Sequence, residues 1–231
     1  MRPCDRPIHD NGTQTMTTFP GSPRLLKGAL VGIDALNPLA SIVVFQYNPD
    51  TMTRRLEPRT MSGDGERGEA FRLTGPPKET ISLSIEIDAT DQLEQVHPLA
   101  VTVGINPTLA ALELMLYPKS FSVILNTALS LAGTVEVFPI EGPMTLFVWG
   151  PSRVLPVRVT SLNITEEAYD TLLNPTRAKV DLSLDVMSYH DLRVTNAGHA
   201  LFLVHQVTKE ALETSNLLGS AANVGTSLRI F

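Results

Sequence analysis

The sequence has little of what several classes of protein require. Its single cysteine, Cys4, excludes an internal disulfide framework, and no apolar run approaches the ~18–20 residues of a membrane span. Aromatic residues make up only 6% of the 231 residues, so few side chains are present to stack on nucleobases. The net charge is −6 and no lysine or arginine cluster stands out, which argues against nucleic-acid binding. We expect a soluble protein made in the cytoplasm, without a membrane span or a nucleic-acid partner.

Residue groupings that carry chemistry are also missing. Gly63–Gly68 matches the letters G-x-G-x-x-G, but no buried strand precedes it and Asp64 and Glu66 would repel a phosphate. The five histidines do not have the spacing of a metal site, and no serine lies in a G-x-S-x-G turn. We therefore expect no catalytic residues, no cofactor and no metal, and hence a protein that is not an enzyme.

Alternation of apolar and polar residues dominates what is present. Ala178–Val186 and Ile81–Ile87 each place an apolar side chain at every second position, which predicts strands with one buried face. In the segment before the first of these, Leu155, Val157 and Val159 keep one phase, whereas Leu162 and Ile164 keep the other. A β-bulge at Thr160–Ser161 would reconcile the two phases. With a turn at Asn174-Pro175, the segment Phe147–Tyr189 forms one long hairpin.

Other segments complete a mainly β prediction. Further strands are predicted over Lys27–Ile33, Ser41–Tyr47, Val135–Phe138 and Met144–Trp149, the first two joined through Asn37-Pro38. The polar, glycine-rich stretch Arg54–Pro77 is interpreted as a long surface loop.

Two helices are predicted. In the first, Asn106 caps the helix, Pro107 takes its first position and Leu109, Leu112 and Leu116 form its buried stripe until Pro118. The second is amphipathic, with an apolar stripe of Ala200, Leu203, Val204, Val207 and Ala211. Periodicity does not decide between helix and loop for Phe121–Leu131.

The predicted fold class is mainly β with helices (α+β), an antiparallel β-barrel or sandwich with a core helix and a C-terminal helix. Residues 1–25 are expected to form a flexible arm, residues 26–216 the β domain with its C-terminal helix, and residues 217–231 a tail.

Several motifs carry a resemblance to a known family. They are Phe45–Leu56 with FQYNP, Gly68–Glu94 with GPPKETI, Leu146–Tyr189 with VWG and LNP, and the helix His199–Leu212. In this order they resemble the tube-proximal baseplate protein of extracellular contractile injection systems, which are similar to phage tails, and they cover most of residues 27–215. Members of that family usually add a LysM-type module. Leu217–Phe231 is too short for one, so glycan binding is not carried over.

The resemblance implies a phage-tail-tube type of domain that forms a ring, typically sixfold. Such a ring would join the inner tube to the baseplate and spike proteins of a particle that is either released or kept in the cell. Candidate interface residues are Arg54, Arg55 and Arg67 in the predicted long loop, with Glu166, Tyr169 and Asp170 on the projecting part of the hairpin.

Two alternatives stay open. The chain could be an inner-tube protomer or a tube-end cap of the same particle, which differ from an adaptor in how many rings they stack. It could instead be a monomeric ligand-binding β domain with Arg54–Pro77 as a lid, and a pocket lined by aromatic residues would favour that function. Ring stoichiometry and the face that meets the tube are not specified by the sequence.

Overall fold

The computed structural model describes residues 26–33, 41–60, 73–94, 98–118, 120–131 and 142–227, with the backbone only for residues 122 and 218–227. The strands are β1 (Ala29–Ile33), β2 (Ser41–Val44), β3 (Met52–Glu57), β4 (Lys78–Asp88), β5 (Met144–Val148), β6 (Val154–Tyr169) and β7 (Pro175–Val186). The helices are α1 (Thr90–Glu94), α2 (Pro98–Val103), α3 (Asn106–Glu113), α4 (Ser120–Leu131) and α5 (Ala197–Ser227). The predicted strand Val135–Phe138, Arg67, the N-terminal arm and the middle of the predicted loop lie outside the described residues.

All seven described strands form one antiparallel sheet in the order β2-β1-β5-β6-β7-β4-β3. This confirms the α+β, mainly β class. The predicted alternation is also confirmed, because Ala178–Val186 and Ile81–Ile87 bury every second side chain. The buried face is lined by Leu30, Ile81, Leu83, Ile85, Phe147, Leu155, Val157, Val180, Leu182 and Leu184, with Leu109, Leu112 and Met115 packed against it.

The sheet curls without closing. The edge strands β2 and β3 are joined by residues 45–51 alone, whereas the edges of a flat seven-stranded sheet would lie about 29 Å apart. The link is not extended across that distance. Phe45 donates its N–H to the Gly28 carbonyl (2.8 Å), and Gln46 accepts the N–H of Asp88 on β4 (2.8 Å). The β2 edge therefore approaches β4, but β2 and β3 do not pair, so the described strands form an open sheet and the barrel form of the predicted barrel or sandwich is not confirmed.

The predicted bulge in β6 is confirmed. Val159 pairs with Leu184 and Ser161 with Ser183, which leaves Thr160 as the extra residue. Its hydroxyl donates to the Ser183 carbonyl (3.0 Å). Because of the bulge, Leu162 lies opposite Leu182 and keeps its side chain on the core face of the sheet.

Two local predictions are corrected. Arg54–Glu57 belong to β3 and not to a loop, because they pair in register with Lys78–Ile81 of β4. Asn106 is the first residue of α3 and not its cap; Ile105 holds the cap position without a side-chain hydrogen bond, and Pro107 needs no partner for its nitrogen. Leu116, expected on the buried stripe, is exposed beyond the end of α3.

The C-terminal helix exists as predicted but buries a different face. Gly198, Phe202 and His205 are buried, whereas Leu203, Val204 and Val207 of the predicted stripe are exposed. A Cβ at position 198 would lie 2.8 Å from Leu192 and 3.1 Å from Pro156 of β6, so glycine allows this close approach of α5 to the sheet. The helix continues to Ser227, past Leu217, where the tail was expected to begin.

Candidate assembly surfaces

The long β6–β7 hairpin leaves a strand edge without a partner among the described strands. On one side β6 pairs with β7 along its length, but on the other side β5 reaches only Val154–Val157. The backbone from Arg158 to Tyr169 therefore presents N–H and C=O groups on an open edge. Such an edge accepts a further strand through ordinary sheet hydrogen bonds.

The tip of this hairpin is built around Asp170. Its carboxylate accepts the N–H groups of Leu172 (2.7 Å) and Asn174 (2.8 Å) and the side-chain amide of Asn174 (2.9 Å). The hydrogen bonds from Asn174 in particular hold the pKa of Asp170 below its usual value. They also stabilise Leu173 in the left-handed region, at φ 63°. Asp170 thus shapes the turn that was predicted at Asn174-Pro175, and its carboxylate is already occupied.

The helical segment beside the sheet holds the tip in place. Ile105 donates its N–H to the Pro175 carbonyl (2.9 Å), and the Asn174 amide donates to the Thr102 carbonyl (3.2 Å). Gly104 lies between these contacts at φ 59°, and a Cβ there would come within 2.2 Å of the Pro175 oxygen. Only glycine fits this position, so the tip is fixed in direction relative to α2 and α3.

The tip presents apolar and acidic groups together. Tyr169, Leu172 and Leu173 are exposed, and Glu166 lies on the same arm. A hydrogen bond with the Glu166 carboxylate raises the pKa of the Tyr169 hydroxyl. Exposed large apolar side chains on a rigid turn, next to a carboxylate, suit contact with another protein surface.

Arg54 and Arg55 lie at the other end of the sheet and have different surroundings. Arg54 points to the core face, where its guanidinium binds Glu79 through Nε (2.7 Å) and Nη2 (2.5 Å). Arg55 points outward and pairs with exposed Glu57 (2.7 Å). Of these two arginines, only Arg55 is a surface group available to a partner.

Glu79 is the centre of a buried charge cluster that the sequence reading missed. Its side chain is 3% exposed and also accepts Lys209 of α5 (Nζ to Oε2, 3.5 Å). His205 of α5 lies beside this cluster, and burial, followed by the charge of Lys209, lowers its pKa. The signal was present in the sequence, because Glu79 has the same two-residue phase as Ile81 and Leu83.

A second ion pair holds the turn that leads into α5. Asp191 accepts the Ser188 hydroxyl (2.6 Å) and N–H (3.1 Å) and pairs with Arg59 (3.1 Å). Burial raises the pKa of Asp191, but the bonds from Ser188 and the Arg59 guanidinium more than offset it, so the pKa lies below the ordinary value. The chain after β3 is thereby tied to the start of α5.

The structure divides the predicted interface residues into two separate groups. Arg54 and Arg55 pair with Ile81 and Thr80, near the start of β4. Glu166 pairs with Ala178, which lies opposite Ile87 near the end of β4, and Tyr169 and Asp170 lie beyond it. The two groups therefore occupy opposite ends of the sheet and do not meet within one copy.

A groove of about 460 Å³ lies where β2 approaches β4, between the sheet and the α2–α3 segment. Its volume suits a small ligand, but Phe45 is its one aromatic lining residue among the described residues. Within the described part of the chain no group of three histidine, cysteine or acidic side chains could hold a metal ion. None of the described helices is long and apolar enough to cross a membrane.

Comparison with protein-family models gives no match, and neither does comparison with curated proteins. Among solved structures, the chain is similar to a chain of the virion of a native gene transfer agent particle, with a TM-score of 0.25 and 10% identity. It is also similar to a chain of the tail of an empty gene transfer agent particle with C6 symmetry, with a TM-score of 0.28 and 11% identity. Each match covers 69% of this chain and 90% of the other. At these scores the matches carry no functional argument, so the function is argued from the chain's own residues.

Proposed function

We propose that the protein is a non-catalytic structural component of a phage-tail-like contractile injection particle. In this proposal, copies of the chain form a ring, sixfold as in the family that the sequence resembles, and the ring joins the inner tube to the baseplate and spike. The observation that carries the proposal is the open edge of β6 from Arg158 to Tyr169, on a hairpin whose tip is fixed in direction.

An open edge of this length is a liability in a monomer, because it invites uncontrolled strand pairing. Short edge strands, prolines and covering loops are three of the usual protections, and β6 has none of these three beyond Val157 among the described residues. Its protections there are the bulge at Thr160, the register shifts near Ala168 and a few exposed charged side chains, and the backbone groups between them stay unpaired. A neighbouring subunit that adds a strand would satisfy these backbone groups. Repeated head-to-tail around an axis, the same contact closes a ring.

The exposed tip supports the second half of the proposal. Tyr169, Leu172 and Leu173 lie at the end of the arm, away from the Arg55 end of the sheet. A ring whose subunits share one direction would present all its tips on one face. That face would offer apolar and acidic groups to a neighbouring ring of the particle.

The test is electron microscopy of the purified chain, alone and mixed with an inner-tube protein from the same organism's particle. An adaptor is expected to form single rings that do not stack, and to cap one end of the tubes when tube protein is added. Long tubes from the chain alone would identify it as a tube protomer. A chain that stays monomeric in the presence of tube, baseplate and spike proteins would contradict the proposal.

A further inference from the structure

Helix α4 turns most of its apolar surface away from its own molecule. It contains no charged residue, and Phe121, Ile124 and Leu131 are 68%, 67% and 86% exposed. The two half-buried side chains, Asn126 and Leu129, lie roughly 80–160° around the helix from these three. Val123, Thr127 and Ser130 are exposed as well, but most of the exposed apolar side chains lie on one stripe at helical spacing, the α4 stripe, made of Phe121, Ile124, Leu125, Ala128 and Leu131. A monomer gains nothing from leaving such a stripe uncovered.

Helix α5 has an apolar face on each of two opposite sides. Gly198, Phe202 and His205 face the sheet and are buried. About half a turn around the helix axis from them, Ala200, Leu203, Val204, Val207 and Ala211 form a second stripe, the α5 stripe, in which Val204 and Val207 are 63% and 62% exposed. No described element packs along α4 or covers the α5 stripe.

The two stripes fit each other. Both have apolar side chains at intervals of three and four residues, and both are about 16 Å long at 1.5 Å per residue. The α4 stripe is rich in large side chains, whereas the α5 stripe has alanine at each end, so large groups of one helix meet small groups of the other. At roughly 100 Å² for each of the seven large side chains, pairing the stripes hides about 700 Å² in total. That area is well below the roughly 1,200 Å² of a specific interface, so the contact adds to the strand edge of β6 and does not replace it.

We propose that the α4 stripe of one copy docks on the α5 stripe of a second copy. The partner is this same chain because it carries both halves of the contact, and the two halves are on different elements. Such a contact is heterologous, so repeating it uses both stripes of every subunit, and a rotation between subunits that divides a full turn closes the ring. A symmetric pairing of two α5 helices would leave α4 uncovered. The inference rests on the proposed ring and deepens it by naming a second contact between its subunits.

Disulfide trapping between two variants tests the contact. In a Cys4→Ser background, one preparation carries Ile124→Cys and the other, with a tag of different size, carries Val207→Cys. After mild oxidation of the mixture we expect a heterodimer as the main crosslinked product, with little product from either variant alone. Ser130→Cys and Gln206→Cys, which are exposed but off the two stripes, serve as matched controls and should not crosslink.

A charge exchange gives a second readout. Ile124→Lys and Val204→Glu should each raise the concentration needed for ring assembly more than about tenfold, and mixing the two variants should recover part of the loss. Equal crosslinking of Val207→Cys with itself would replace the proposed contact by an α5–α5 dimer. Rings that form without any crosslink between positions 124 and 207 would overturn the α4–α5 contact while leaving the proposed function intact. Crosslinked rings that fail to cap tubes would contradict the proposed function and leave the α4–α5 contact intact.

Discussion

At the scale of single residues, Glu79 shows how a buried charge is tolerated in this fold. Its carboxylate is almost completely removed from solvent but receives Arg54 from β3 and Lys209 from α5. The desolvation of one carboxylate is thus offset by two cations from two different elements. The cluster ties the last described part of the chain to the edge of the sheet.

Replacing Glu79 by alanine should therefore be costly. Arg54 and Lys209 would lose their common partner in a partly buried site, and we expect the free energy of unfolding to fall by about 3 kcal/mol or more. Urea denaturation measures this. Glu57→Ala removes an exposed carboxylate that pairs with Arg55 in the same strand, and it should cost less than about 0.5 kcal/mol. Equal losses at the two positions would show that the cluster contributes no more than a surface pair.

Asp191 provides a pH dependence with a defined sign. Its pKa in the folded protein is lower than in the unfolded chain, so its contribution to stability is present above the unfolded value of about 3.9 and is lost as pH falls through the folded value. The melting temperature should drop on acidification below about pH 4, and Asp191→Asn should reduce that dependence while lowering stability near neutral pH. If the melting temperatures of the original protein and of Asp191→Asn change in parallel with pH, Asp191 does not have this role.

At the scale of elements, β6 is the strand whose geometry depends most on one residue. Thr160 is the extra residue that lets Val159 and Leu162 face the same side of the sheet. The part of β6 that follows Thr160 also has the open edge. The bulge therefore sets both the direction of the arm and which side chains the arm presents.

Two single-residue deletions in β6 should differ in cost. Removing Thr160 restores a regular ladder in which Leu162 and Ile164 still face Leu182 and Val180, so we expect a folded protein that loses about 1 kcal/mol. Removing Asn163 also removes the extra residue, so Ile164 keeps its place opposite Val180, but Leu162 moves to the outward face opposite Asp181, and the loss should be larger, about 2 kcal/mol or more. Chemical denaturation compares them. An unfolded Thr160 deletion beside a stable Asn163 deletion would contradict the register.

At the scale of the whole molecule, different sides of the surface carry different kinds of side chain. The sheet carries Arg55 near one end, the acidic and apolar tip at the other, and an open edge between them, while α4 and α5 present apolar stripes elsewhere. A monomeric function requires none of these exposed features. The proposed assembly would cover each of them with a neighbouring subunit or ring.

The tip is the feature whose loss should affect the assembly and not the fold. The side chains of Glu166 and Tyr169 are exposed, and alanine keeps the backbone pairing of both residues, so replacing both by alanine should leave the circular dichroism spectrum and melting temperature nearly unchanged. Asp170 is kept, because it shapes the turn. We expect the double variant to be absent from particles examined by electron microscopy, whereas Ser82→Ala, on the outward face of β4, should be incorporated normally. Variant particles at normal yield would show that the tip is not an interface.

Much of this architecture follows from the sequence alone. The alternation in β4 and β7, the bulge at Thr160 and the turn before Pro175 were all predicted, because a strand with one buried face has a two-residue period that a neighbouring strand must match. These features are local, because the polarity of each residue indicates which face of the sheet its side chain lies on. The different surroundings of Arg54 and Arg55, in contrast, were not anticipated, although neighbours on a strand point to opposite faces.

Only the tertiary structure decided which apolar faces are covered. Ala200, Leu203, Val204, Val207 and Ala211 form a stripe that would suit a core as well as an interface, and periodicity cannot distinguish the two. In the fold, Gly198 allows the opposite face of α5 to approach Pro156, and Lys209 binds Glu79. The curl of the sheet that brings Gln46 to Asp88 likewise depends on contacts between distant segments. Burial depends on what packs against a residue, so the sequence determined the strands and their faces, whereas the packing of α5 decided that its apolar stripe is exposed.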